Sequence, residues 1–229
     1  MRKSLLVAAV MPALLIGVNS AKAALLYSFE NGDVPNNVDG FAPNGGGVTV
    51  SHDTIGATNG TGSMKLVTSV GGTFVGALST SAVPLATLDN PSISGVSFDI
   101  TTAAPQYAGN YADIGITLFV ANPGLGEFGE QFQTNFVPSD NIDLAPGTYH
   151  VTHPLYGNDP DTGTPESYSQ LLANGFVPTG FEFFISKDAT AAATVYLDNV
   201  NTVSVPEPAT LALGAVGGVM ALARRRRSI

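Results

Sequence analysis

The feature that most restricts this chain is a series of short β-rich runs, each closed by turn residues. The runs cover residues 25–30, 48–52, 64–69, 73–78, 93–100, 114–120, 148–153, 181–186 and 194–203. Between them lie Asn31-Gly32-Asp33, Asn44-Gly45-Gly46-Gly47, Asn59-Gly60 and Asp89-Asn90-Pro91, residue types that supply the unusual backbone angles of tight turns. Val96, Phe98 and Ile100 alternate with Ser97, Asp99 and Thr101, and Val195, Leu197 and Asn199 with Tyr196, Asp198 and Val200. A period of two means strands with one face buried. Roughly nine strands predict an all-β fold: an antiparallel β-sandwich of jelly-roll type over residues 24–203. One short helix is expected, opened by Pro165-Glu166, filled by residues 167–173 and ended by Asn174-Gly175. Residues 138–146 and 157–165 read as loops. A charged fraction of 12% with 26 glycines argues against a helical bundle.

The two ends do not belong to this pattern. Residues 1–23 read as a secretory signal, expected to adopt a helix: Arg2 and Lys3 are its positive start, residues 5–18 its apolar run, and Ala21-Lys22-Ala23 its cleavage site. The mature chain is then expected to begin at Ala24. At the other end, Pro206-Glu207-Pro208 precedes an uncharged run at residues 209–223, followed by Arg224, Arg225, Arg226 and Arg227. As a single transmembrane helix this run is about 22 Å long at 1.5 Å per residue, short for a bilayer core of roughly 30 Å. Arginine snorkelling or local thinning closes such a gap. The four arginines stay cytoplasmic, so everything before Pro206 is expected outside. The signal peptide sends the same part outside.

Pro206-Glu207-Pro208, the apolar run and the arginine cluster together resemble the PEP-CTERM sorting signal, here over residues 204–229. The resemblance implies recognition by an exosortase, a membrane cysteine protease-transpeptidase. It also implies transient membrane anchoring, removal of the tail, and delivery to the cell surface or exopolysaccharide matrix of a Gram-negative-type bacterium. The two prolines keep the helix from extending outward, so the segment to be cut stays extended and reachable.

Residues 24–205 hold 17 acidic residues and two bases, Lys65 and Lys187, a net charge near -15. Such a field repels phosphates and anionic membranes, which excludes nucleic acid as a partner. It favours hard cations, Ca²⁺ above all. The absence of cysteine excludes a disulfide scaffold, a thiol enzyme and a cysteine-type zinc finger.

Three segments carry a second resemblance: Tyr27-Ser28-Phe29-Glu30, residues 57–66 (Ala-Thr-Asn-Gly-Thr-Gly-Ser-Met-Lys-Leu) and Val195-Tyr196-Leu197-Asp198-Asn199-Val200. They are similar to carbohydrate-binding modules of the galactose-binding-like jelly-roll type. The resemblance implies that Glu30 and Asp198 hold a structural Ca²⁺ with backbone carbonyls near Asn59, Gly60 and on to Gly62; the alternative is that both carboxylates are merely solvated. Sugar sites of that family stack aromatic rings on pyranoses, commonly Trp. This chain has no Trp. Tyr107 and Tyr111, in a Gly/Asn loop, are the candidate aromatic contacts, with capping of the core as the alternative.

No catalytic motif is present: neither G-x-S-x-G, nor H-E-x-x-H, nor a P-loop. His150 and His153 lie three apart in an assigned strand, so they point to opposite faces; exposed or turn positions are expected for the histidines. Asp159-Pro160-Asp161-Thr162-Gly163 with Glu166 misses the EF-hand spacing and reads as a solvated acidic loop, weak Ca²⁺ binding being the lesser reading. The chain is expected to be a non-catalytic surface or matrix protein with extracellular polysaccharide a candidate ligand. The alternative is a secreted polysaccharide hydrolase on the same export route, which would need two carboxylates set across a groove.

Overall fold

The computed structural model describes residues 23–31, 36–69, 71, 74–102, 112–134, 146–187 and 192–204. Contacts gather Ala23–Ser204 into one compact unit. Nearly all of the expected signal peptide, the sorting motif with its apolar run and arginines, most of the expected loop at 138–146, and both Tyr107 and Tyr111 lie outside the described residues. Among the described residues no helix is long and apolar enough to cross a membrane.

Two antiparallel sheets form the body. The first holds β3 (Val48–Asp53), β4 (Ser63–Thr68), β13 (Ala193–Ser204), β6 (Ile93–Thr102) and β9 (Gly147–Pro154) in that order, with β1 (Leu25–Tyr27) also paired to β13. The second runs β2 (Phe41–Asn44), β5 (Phe74–Ser79), β12 (Val177–Lys187), β7 (Ala112–Asn122) and β8 (Glu127–Gln133). Successive strands switch sheets repeatedly, at β1–β2, β2–β3, β4–β5, β5–β6, β6–β7, β8–β9 and β12–β13, as in a jelly roll. A small hairpin, β10 (Tyr156–Asn158) with β11 (Pro165–Ser167), forms a separate two-stranded sheet.

The expected inward face of β6 is the core face: Val96, Phe98 and Ile100 are fully buried. The sheets meet through rings. Phe98 of β6 packs edge-on against Phe183 of β12 at 4.9 Å, and Tyr27 of β1 against Phe41 of β2 at 4.7 Å. Such pairs add about 0.5–1.5 kcal/mol each beyond their burial. On β13 the alternation breaks. Val195 and Leu197 enter the core as expected, but Val200 joins them where Asn199 was expected. Asn199 has φ +54, and the pairing with β6 shifts register between Asp198 and Asn201. A bulge there inserts one residue and moves the next side chain to the other face.

Three of the elements absent from the sequence reading have local reasons. β2 and β8 are the edges of the second sheet. Pro43 is tolerated in β2 because an edge strand has amides with no partner to lose. In β8 only Phe132 is buried, so no alternation marks it. The helix α1 (Ala82–Leu88) carries Pro84 in its first turn, where a backbone N–H has no intrahelical acceptor; Leu85 and Leu88 are its buried residues. The helix expected at residues 167–173 is α2 (Tyr168–Ala173), capped by Ser167 and Gln170, with Glu166 and Pro165 assigned to β11 instead. His150 and His153 do face opposite ways, but His153 is fully buried and bonded to Thr134 rather than exposed.

Gly115 of β7 sits beside Phe184 of β12, on the sheet face turned away from the core. A methyl there would overlap the Phe184 ring. Gly115→Ala should therefore cost about 1–3 kcal/mol by overpacking. Chemical denaturation checks this: the cost should shrink in a Phe184→Leu background, and an unchanged cost would show that the ring is not the obstacle.

Candidate functional site

The long strand β13 serves two neighbours on one side. Residues 193–197 pair with β4, and Val200 and Asn201 pair with β1, while β6 occupies the opposite side. Between the end of β1 and the start of β4 the ladder has a gap at Asp198 and Asn199. The turn at residues 57–62 fills it. Asp198 Oδ2 accepts the Thr58 amide at 2.6 Å and the Asn59 amide at 2.7 Å. Glu30, just past β1, accepts the Thr61 amide at 2.9 Å, the Thr61 hydroxyl at 2.9 Å and the Gly62 amide at 3.1 Å. Its carboxyl is held below the usual range, first by the Gly62 amide and then by the Thr61 hydroxyl and amide.

The Asn-Gly-Thr-Gly sequence is what lets this turn close. Gly60 has φ +96 and a side chain there would collide with the Glu30 carboxylate. A Cβ on Gly62 would overlap the Phe29 carbonyl and His52 Nε2. Phe29 itself turns through φ +53. The structure thus brings Glu30, Asp198 and residues 58–62 to one junction, where the turn binds both carboxylates through its amides. Asp198 is fully buried, and its Oδ1 has no hydrogen-bond partner.

Asp99 lies directly across from Asp198. Facing carboxylates repel, and the Thr58 hydroxyl moderates this by donating to Asp99 Oδ2 at 2.6 Å while lying 3.2 Å from Asp198 Oδ2. Asp99 also accepts Asn199 Nδ2 at 3.1 Å and meets His150 Nδ1 at 2.6 Å. Burial pushes the Asp99 carboxyl up, and the Thr58, His150 and Asn199 bonds outweigh it, leaving the group below the usual range. None of Asp99, Thr58 or His150 stands out in the sequence as part of a site; only their register across β13, β6 and β9 brings them together.

A second arrangement lies on the outer face of the five-stranded sheet. Cross-strand rows set Ala42, Leu78, Glu182, Thr117 and Gln133 side by side, and Asn44, Gly76, Phe184 and Gly115 in the next row. Glu182 points away from the core, yet is only 7% exposed. Its Oε1 accepts Asn44 Nδ2 at 2.7 Å in space that Gly76 leaves open. Loss of water raises its carboxyl above the usual range despite the Asn44 bond. A buried acid with one partner, among Asn, Gln and Thr side chains, offers the directional donors and acceptors that polar ligands use. Nothing in the sequence separates Glu182 from an ordinary solvated strand residue. The expected contacts Tyr107 and Tyr111 belong to the segment joining β6 to β7, outside the described residues.

Comparison with known proteins bears on both ends of this description. Residues 204–227 match the PEP-CTERM protein-sorting motif. No curated protein matches the sequence. Among solved structures, the chain is similar to a family 11 carbohydrate-binding module from Clostridium thermocellum in complex with a β-1,3-1,4-mixed-linked tetrasaccharide. The identity is 17%, over 81% of this chain and 97% of that one, with a TM-score of 0.50. It is also similar to the family 11 module of a cellulosomal cellulase from the same organism (14% identity, 80% and 95% covered, TM-score 0.49). A xylan-binding domain from Paenibacillus barcinonensis gives 16% identity, 80% and 97% covered and a TM-score of 0.47. The fold is that of carbohydrate-binding-module jelly rolls.

The folded protein holds the Glu182 proton more tightly than the unfolded chain, so this group lowers stability as pH rises from the unfolded carboxyl's range through the folded one. Glu182→Gln keeps an acceptor for Asn44 and removes the charge. It should be more stable than the parent at pH 7, with the gain vanishing below about pH 4; paired thermal melts across that range decide it.

Proposed function

We propose that this is an exported, non-catalytic, glycan-binding protein of the cell surface or extracellular matrix, sorted and trimmed by an exosortase. One observation carries the reading: a PEP-CTERM motif at residues 204–227 is joined to a body with a carbohydrate-binding-module fold. The motif supplies the route, with residues 1–23 as the export signal and residues 209–223 as a transient anchor. The body supplies the activity.

The outer face around Asn44, Thr117, Gln131, Gln133 and Glu182 is the assigned ligand face. A sugar presents hydroxyls in fixed directions, and planar amides and carboxylates meet them two bonds at a time. Tyr107 and Tyr111 are the aromatic contacts of the same reading. Calcium at Glu30 and Asp198 is part of the same reading as a structural ion, supported by the open Asp198 Oδ1; the metal would lock the turn at residues 58–62 to β13. Among the described residues, the facing carboxylates Asp99 and Asp198 are buried, whereas glycoside hydrolysis needs a pair facing a groove, which supports the non-catalytic reading.

Two measurements test the two halves. Deleting Arg224, Arg225, Arg226 and Arg227 should leave unprocessed or released precursor in place of surface-attached protein; unchanged localisation counts against sorting. On a glycan array the purified protein should retain a defined set of polysaccharides, and a Gln131→Ala, Gln133→Ala variant should lose at least tenfold in affinity for them. Binding that survives this change moves the ligand off the assigned face.

A further inference from the structure

The strand that ends the body is also the strand on which the sorting motif starts. β13 runs to Ser204, and the match to the PEP-CTERM motif covers residues 204–227. Ser204 is still paired, with Ile93 of β6, and Val203 is paired with Gly95. The Val203 carbonyl also accepts the Ser94 hydroxyl at 3.3 Å. No spacer therefore separates the folded sheet from the motif. Pro206 follows Ser204 by two residues, a reach of at most about 7 Å.

The end of β13 is held from its other side as well. The Thr202 amide donates to the Ala24 carbonyl at 2.9 Å, and the Ala24 amide donates to Thr202 Oγ1 at 2.9 Å. Thr202 is only 2% exposed and lies opposite Val96 of β6. Fraying of β13 from its end thus stops at Thr202. Even with Val203 and Ser204 released, the four residues from Thr202 to Pro206 span at most about 14 Å. A domain of 100 residues already has a radius of gyration of about 13 Å. A folded enzyme that grips Pro206-Glu207-Pro208 must therefore touch the rim of the sheet.

Ala24 puts the other processing junction at the same rim. With cleavage after Ala23, as the sequence reads, the new α-amine is the Ala24 nitrogen, beside Thr202. The surface there differs from the body as a whole. Leu25 is 50% exposed. Asn90, Pro91 and Ser92, which lead into Ile93, are exposed, and so is Pro154, opposite Gly95. None of these carries a charge, in a body with a net charge near -15. The nearest acid along this segment is Asp89, at the end of α1. An uncharged rim spares a membrane-bound partner the repulsion that the rest of the surface would offer an anionic bilayer.

We propose that this rim, built from Leu25, Ser92, Pro154 and Ser204, is the surface on which the membrane-embedded exosortase seats, so that the enzyme receives the folded body together with the tail. The proposal rests on the sorting half of the proposed function and is independent of any glycan.

Pulse–chase of the full-length chain in cells that carry the exosortase tests it, with conversion of precursor to trimmed protein as the readout. A Gly-Ser spacer of about ten residues between Ser204 and Val205 adds roughly 17 Å of r.m.s. reach and parts the motif from the rim. Conversion should slow about threefold or more, because capture of the tail no longer delivers the rim at high effective concentration. A double change, Leu25→Glu with Ser92→Glu, alters exposed positions only, so Tm should hold while conversion slows to a similar degree. A spacer that leaves conversion unchanged or speeds it overturns the proposal, since the body would then be a mere steric neighbour. So does normal conversion of the Leu25→Glu, Ser92→Glu chain, whatever the spacer does. Deleting residues 224–227 separates the two failures. If that chain is still converted, the sorting reading falls and the rim falls with it. If it is not converted while the spacer and rim variants are converted normally, sorting stands and only the rim proposal fails.

Discussion

The body depends on how β13 is shared. This one strand pairs with β6 along one side and with both β4 and β1 along the other, so the ladder must be interrupted where β4 stops and β1 starts. An interruption in a central strand exposes backbone groups that a buried position cannot leave unpaired. The chain resolves this with a bulge at Asp198 and Asn199 and with two carboxylates that bind the amides of residues 58, 59, 61 and 62. Charge-assisted bonds of this kind are roughly twice as strong as neutral ones. They fasten the turn into the gap and satisfy the turn's own amides.

The same carboxylate chemistry divides the acidic surface into groups of different purpose. Glu30, Asp99 and Asp159 Oδ1 are satisfied by amides, a hydroxyl or an imidazole, and Glu30 and Asp99 sit below the usual carboxyl range as a result. Glu182, Glu166 and Glu127 have fewer donors than oxygens and sit above it. The first group stabilises the ionised fold and weakens it only in acid. The second lowers stability at neutral pH, and groups of that kind persist where a ligand or ion supplies the missing partner.

What the sequence discloses follows the same physical line. Interior strands are legible because both neighbours constrain them: the continuous run Phe181–Ile185 in β12 and the alternation in β6 survive in any register. Edge strands β2 and β8 answer to one neighbour and carry Pro43, Gly129 and five polar residues without penalty, so no pattern marks them. Glu30 and Asp198 are visible because the segments around them have a recognisable form. The bulge at Asn199, the burial of Glu182 through Asn44, and the burial of Glu166 through the bridge at Gly157 are products of long-range register. No local window contains them.

Architecture and composition then fit one another. A body with a net charge near -15 and no disulfide must limit self-repulsion by other means. Amide-bound carboxylates localise part of that charge at the β13 junction, and Lys65 takes up Asp53 at 3.4 Å. Asp159, Asp161 and Glu166 set further negative charge at the β10–β11 hairpin. A surface of this kind is poorly suited to anionic polymers approached directly and well suited to neutral ones. It can reach anionic polymers only through a bridging cation. On the proposed reading, the field of the whole body steers the outer sheet face toward neutral rather than anionic glycan.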